Sequence, residues 1–102
     1  MKNYKIEYLP LFYKDLYKTL YYIKYKLGND IAADNLLEEI EKEIKERSLN
    51  PESFEEYHSS RRRKNTYYKI YIKNYVVFYI VKDNVMIIRR LLYNKMNFKK
   101  HL

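Results

Sequence analysis

Tyr67-Tyr68-Lys69-Ile70-Tyr71-Ile72-Lys73-Asn74-Tyr75-Val76-Val77-Phe78-Tyr79-Ile80-Val81, followed directly by Val85-Met86-Ile87-Ile88-Arg89-Arg90-Leu91-Leu92, decides the fold of this 102-residue chain. Nearly every residue is β-branched or aromatic. The only breaks, Lys73-Asn74 and Lys82-Asp83-Asn84, are short polar pieces of the kind that turn a hairpin. Three consecutive strands follow. The middle run, Tyr75 to Val81, is apolar without alternation, so both of its faces should be buried, with layers or strands on either side. The covering helices must come from upstream.

They are legible there. Tyr4 to Leu9 alternates as a short amphipathic strand and ends at Pro10, which suits the first turn of a helix because its missing N–H costs nothing there. Phe12, Leu16, Leu20, Ile23 and Leu27 then fall on one helical stripe. Gly28 stops that helix and Asn29 or Asp30 caps the next, where Ala33, Leu36/Leu37, Ile40 and Ile44 form a second stripe. The short connection forces an antiparallel αα-hairpin whose paired apolar stripes cover one sheet face. Asn50-Pro51 closes the second helix. The expected fold is therefore α+β, an N-terminal strand and a two-helix hairpin on a largely antiparallel sheet completed by a C-terminal three-strand meander, in a single domain over residues 1–102.

Charge is divided along the chain. Residues 1–56 carry a net −3 and residues 57–102 a net +11, with Asp83 the one acid of the second part. The sheet-forming half is thus the cationic half, the asymmetry of a surface that meets nucleic acid or an acidic partner. Arg61-Arg62-Arg63-Lys64 delivers four consecutive cations to the start of the meander, read either as phosphate contacts or as a solvated connector. Alternation sends Arg89 and Arg90 to opposite faces, so one of them should look into a groove on the uncovered face. Arg61, Arg62, Arg63, Arg90 and Lys95 are expected on or beside that groove. For most of the 14 tyrosines ordinary packing is the favoured reading.

Cysteine is absent and the two histidines, His58 and His101, lie far apart, so neither a metal site nor a cofactor is expected. No run of about 18 apolar residues occurs, which leads to the expectation of a cytoplasmic protein without a membrane partner.

The segments Tyr67 to Tyr79 and Ile88-Arg89-Arg90-Leu91-Leu92-Tyr93-Asn94-Lys95-Met96-Asn97 resemble the two hallmark stretches of the RelE/ParE toxin superfamily, and Leu27-Gly28-Asn29-Asp30-Ile31-Ala32-Ala33 resembles its inter-helix turn. The resemblance implies a growth-inhibiting, plasmid-stabilising toxin of a type II toxin–antitoxin pair. A cognate antitoxin would mask the toxin with an acidic or amphipathic segment. Some members are ribosome-dependent mRNA endoribonucleases and bind RNA, others poison DNA gyrase, and others have lost activity. Ribonuclease members often carry an arginine immediately after the position of Tyr75, where this chain has Val76, and Tyr68 replaces a second arginine. The closing motif keeps Arg90 and Tyr93 and has Lys95 for its other arginine, while Asn94 and Asn97 replace its glycine and aspartate. This pattern is nearer to gyrase-directed or uncharacterised members.

RNA cleavage through the substrate's own 2′-OH needs a base, cations for the phosphorane and an acid for the leaving oxygen. Arg90 and Tyr93 are the candidate catalytic pair. Lys69, Lys95 and the Arg61–Lys64 run are candidate target or phosphate contacts. Glu55, Glu56 and His101 are candidate bases that no spacing selects, so the enzyme, the gyrase poison and a non-toxic binding module of the same fold all remain open.

Overall fold

The computed structural model describes residues 4–57 and 66–102. Strand β1 (Lys5–Tyr8) turns its Ile6 and Tyr8 inward and leads at Pro10 into helix α1 (Pro10–Tyr21). That helix continues without a break as a π-helical turn, Tyr22–Lys26, closed by the Leu27 N–H donating to the Tyr22 carbonyl. Each π turn takes more residues than an α turn. Leu27 has therefore not come back round to the stripe of Phe12, Leu16 and Ile23, and it is exposed rather than buried as its spacing predicts. Gly28 takes a positive φ of 63°, and the Asn29 side chain accepts the Ala32 N–H at 3.0 Å to cap helix α2 (Asp30–Arg47).

Glu56–Tyr57 forms a two-residue strand, β2, inside what reads as an irregular connection. The meander follows as β3 (Tyr67–Ile72), β4 (Tyr75–Lys82) and β5 (Val85–Tyr93). Asp83 and Asn84 both adopt positive φ in the β4–β5 turn, the geometry of a primed hairpin turn that Asp and Asn tolerate. The sheet order is β1-β5-β4-β3-β2, antiparallel throughout except for β1, which pairs parallel to β5 from Lys5↔Val85 to Tyr8↔Ile88.

Both faces of β4 are buried, as its unbroken apolar run requires. Val77 and Tyr79 pack with Ile70, Met86, Ile88 and Leu91 under the hairpin residues Phe12, Leu36, Ile40 and Ile44. Burying one such side chain contributes about 1.5–3 kcal/mol. Val76, Phe78, Ile80 and Leu92 point the other way and pack with Tyr67. From sequence this second face is expected to be an open groove, with a polar tail beyond the sheet. In the structure the tail returns instead. Its 3-10 turn, Phe98–Lys100, brings Phe98 and Leu102 against the face, where Phe98 meets Phe78 edge-on with ring centroids 4.9 Å apart.

Candidate functional site

One irregularity in β5 sets the geometry of the cationic face. Phe78 pairs with Arg90 but Tyr79 pairs with Ile88, so Arg89 is an extra residue opposite no partner, a β-bulge. The bulge breaks the alternation that would have sent Arg89 and Arg90 to opposite faces. Arg90 stands across from Phe78 on the helix-free face, and the Arg89 guanidinium lies 5.8 Å from the centroid of Tyr67, a ring that packs on that same face.

Arg90 does not present its charge to an open groove. Its Nε donates to Asp15 Oδ2 at 2.7 Å, its Nη2 to Asp15 Oδ1 at 3.0 Å, and its Nη1 to the His101 carbonyl at 2.8 Å. The two charged side chains are 14% and 13% exposed. Asp15 also accepts the Leu91 N–H at 3.1 Å. Since β1 pairs with β5 only as far as Ile88, this carboxylate takes over the strand's free edge where β1 leaves it. Arg90 thereby joins α1, the edge of β5 and the C-terminal turn.

Tyr93 lies three residues further along a regular stretch of strand. Its partner in register is Tyr75, whose ring packs with the helix-side core, so Tyr93 faces away from Arg90. The two members of the candidate catalytic pair are not brought together. Lys95 is exposed in the turn after β5, which is tied to the neighbouring hairpin by the Asn94 N–H donating to the Asn74 carbonyl. Arg61, Arg62, Arg63 and Lys64 lie outside the described residues. The connection that carries them leaves and rejoins the sheet at Tyr57 and Tyr67, which are partners in register.

Lys69 sits on the helix-free face opposite Phe78, with Tyr71 two residues on and on the same side. Its ammonium donates to the Tyr71 hydroxyl at 2.9 Å and lies 5.3 Å from the Tyr57 centroid and 5.1 Å from that of Tyr71. Lys69 and Arg89 thus stand among Tyr57, Tyr67 and Tyr71. Their charge is set against aromatic faces, an arrangement that can grip an anion while the rings meet flat or apolar groups. Lys69 is a candidate from sequence and Arg89 and these tyrosines are not, because the bulge and the β2 pairing that gather them are tertiary features.

Behind β3, Arg47 at the end of α2 holds the sheet edge. Its Nη1 donates to the Lys69 carbonyl and to the Tyr79 hydroxyl, each at 2.9 Å, and its guanidinium lies 3.6 Å from the Phe54 centroid. Tyr79 in turn donates to the Pro51 carbonyl at 2.7 Å. Burial raises the Tyr79 phenol above its usual range, against the opposing pull of Arg47. Tyr68 is likewise raised, first by burial and then by Glu56 and Glu52. Glu56 is the register partner of Tyr68 on the helix side, away from Lys69, so this candidate base does not stand on the cationic face. Among the described residues no three His, Cys, Asp or Glu form a metal-binding group, and no helix is long and apolar enough to cross a membrane.

A family model described as the ParE toxin of type II toxin–antitoxin systems, parDE, matches residues 6–98, from β1 into the C-terminal turn. No curated protein matches the chain.

Proposed function

Because the chain belongs to the ParE toxin family of type II toxin–antitoxin systems, we propose that it halts growth by binding DNA gyrase, with no covalent chemistry of its own. In this reading its cognate antitoxin neutralises it through an acidic or amphipathic segment laid on the cationic half. The observation that carries the choice of target is Arg90. A ribonuclease needs a cation free to meet the phosphorane charge and an acid and a base beside it. Here the Arg90 guanidinium is committed to Asp15 and the His101 carbonyl, and Tyr93 faces the other side of the strand. A binding surface needs none of this convergence. Lys69 and Arg89 among tyrosine rings are sufficient for it.

The same tyrosines and cations favour one rival, a ribosome-dependent ribonuclease that stacks RNA bases on this face. A brief pulse of expression without antitoxin separates the two. Gyrase poisoning stops DNA synthesis first and induces the SOS response with transcripts intact, and the purified protein inhibits supercoiling. An early halt in translation with new codon-phased transcript ends identifies the ribonuclease instead. If growth continues and supercoiling is untouched, the protein is a non-toxic module of the same fold.

A further inference from the structure

The first helix carries a second cationic and aromatic surface, on the side of the hairpin turned away from the sheet. Tyr13-Lys14 and Tyr17-Lys18 repeat four residues apart, and Tyr21 and Tyr25 continue the spacing through the π-helical turn. Phe12, Leu16 and Ile23 occupy the inner stripe; Tyr13 touches its edge, with its ring centroid 5.9 Å from that of Phe12, while Tyr17, Tyr21 and Tyr25 stand outside the core cluster. Tyr13 is 40% exposed, Tyr17 65%, Tyr21 59% and Tyr25 63%. Their rings are ordered against one another. Tyr13 and Tyr17 stack with centroids 6.1 Å apart and planes 19° from parallel, and Tyr21 and Tyr25 lie 4.8 Å apart.

The exposed charge on α1 itself has one sign, while α2 brings Glu41 and Lys45 to the groove beside Tyr13. Lys14, Lys18, Lys24 and Lys26 are all exposed. Asp15, the only acid between Pro10 and Gly28, is turned inward onto Arg90 and the Leu91 N–H. Helix α2, by contrast, carries the acids of the hairpin, from Asp30 to Glu46. The lysines of this face belong to α1 and not to the sheet, so its charge is independent of which target the sheet face serves.

We propose that the outer face of α1 binds single-stranded nucleic acid, with the tyrosine ladder stacking bases and the interleaved lysines meeting phosphates. Two features favour this occupant over an acidic peptide. The apolar groove between α1 and α2, lined by Phe12, Leu16, Leu37 and Ile40, reaches Tyr13 but none of Tyr17, Tyr21 and Tyr25, whose rings stand out from one side of a single helix with no such groove to seat the apolar side chains of an amphipathic helix. The ladder step of four helical residues is about 6 Å, against ~3.4 Å per nucleotide in a stacked duplex strand, which suits an extended strand with splayed bases. Base-on-aromatic stacking is indifferent to sequence, so binding should show little base preference.

The test is fluorescence anisotropy of the purified chain with a labelled oligothymidylate, its duplex form, and a Glu/Leu-rich amphipathic peptide as separate probes. The single strand binds in preference to the duplex, and its log affinity falls against log salt with a slope of roughly −3 for four phosphates neutralised. The double variant Tyr17→Leu/Tyr21→Leu, checked for unchanged circular dichroism, weakens binding by about tenfold or more. Tyr17→Phe/Tyr21→Phe keeps the affinity, because rings and not hydroxyls form the platform. Lys14→Glu/Lys18→Glu abolishes binding at moderate salt. Full affinity in the leucine variant overturns the proposal, since the strand must then sit elsewhere, as on the Arg61–Lys64 connection. So does a result in which only the acidic peptide binds and only its binding responds to these substitutions.

Discussion

Asp15 forms an ion pair with Arg90, and its carboxylate also accepts a strand N–H. Removing Arg90 leaves that largely buried carboxylate without its countercharge, a change that costs about 3–5 kcal/mol when pairing is broken from one side. Urea unfolding of Arg90→Ala should show a loss of this order. Asp15→Asn/Arg90→Met, which retains an acceptor for Leu91 and removes both charges, should recover more than half of it. A toxicity assay of Arg90→Ala therefore reads stability as well as chemistry. Lys73 presents the opposite case. It holds a positive φ of 54° in the β3–β4 turn without the tolerance of Asn or Gly. Lys73→Gly should raise the melting temperature, with a gain of up to about 1 kcal/mol after the extra entropy of the unfolded chain is offset. The polar dipeptide makes the turn legible in the sequence; which residue carries the left-handed φ is set by the strands it joins.

At the level of elements, the C-terminal turn departs most from its sequence. Met96 to Leu102 reads as a polar tail because Lys99, Lys100 and His101 dominate it, and Phe98 and Leu102, four apart, are too few to register as periodicity. Yet Phe98 and Leu102 close the second face over Phe78, and Phe98 also meets Tyr57 with centroids 6.2 Å apart. Phe98→Ala should destabilise the chain by about 1–2 kcal/mol, below the ~3–5 kcal/mol of a fully buried phenylalanine because Phe98 is only partly buried. The comparison to make is urea midpoint against the parent, with Lys100→Ala, on the same turn but exposed, as the control that stays within about 0.5 kcal/mol. The hairpin elements were more readable. Their stripes hold from Phe12 to Ile23 and from Ala33 to Ile44, and fail only at Leu27, where the π turn changes the period.

Across the whole molecule, tyrosine does the work of both core and surface, and this makes the fold sensitive to alkali. Burial is the first cause of the raised phenols of Tyr8, Tyr68, Tyr75 and Tyr79. A phenol raised in the folded state binds its proton more tightly there than in the unfolded chain. Its stabilising contribution is therefore complete below the ordinary value of 10.0 and is lost as pH rises from there through the folded value. Melting temperature followed from pH 8 upward should stay level and then fall beyond about pH 10, and Tyr75→Phe, which removes one raised phenol, should make the fall shallower.

Local chemistry written into consecutive residues determined β1 and the three strands of the meander, the two helices with their caps and the turns that join them, the burial of both faces of β4 and the kinship of the chain. β-branched and aromatic runs, four-residue stripes and Asn, Gly and Pro at the ends act over a few positions, and they can be read without knowing what lies opposite. The cationic surface was decided by contacts between distant parts of the chain. Asp15 and Arg90 are 75 residues apart in sequence, and no local preference of either residue selects the other. The bulge at Arg89 exists only relative to β4, and the fold-back of Phe98 only relative to a face assembled from three strands. Composition determined that the second half would be basic, and the tertiary structure decided which cations answer to carboxylates and rings within the protein and which face outward.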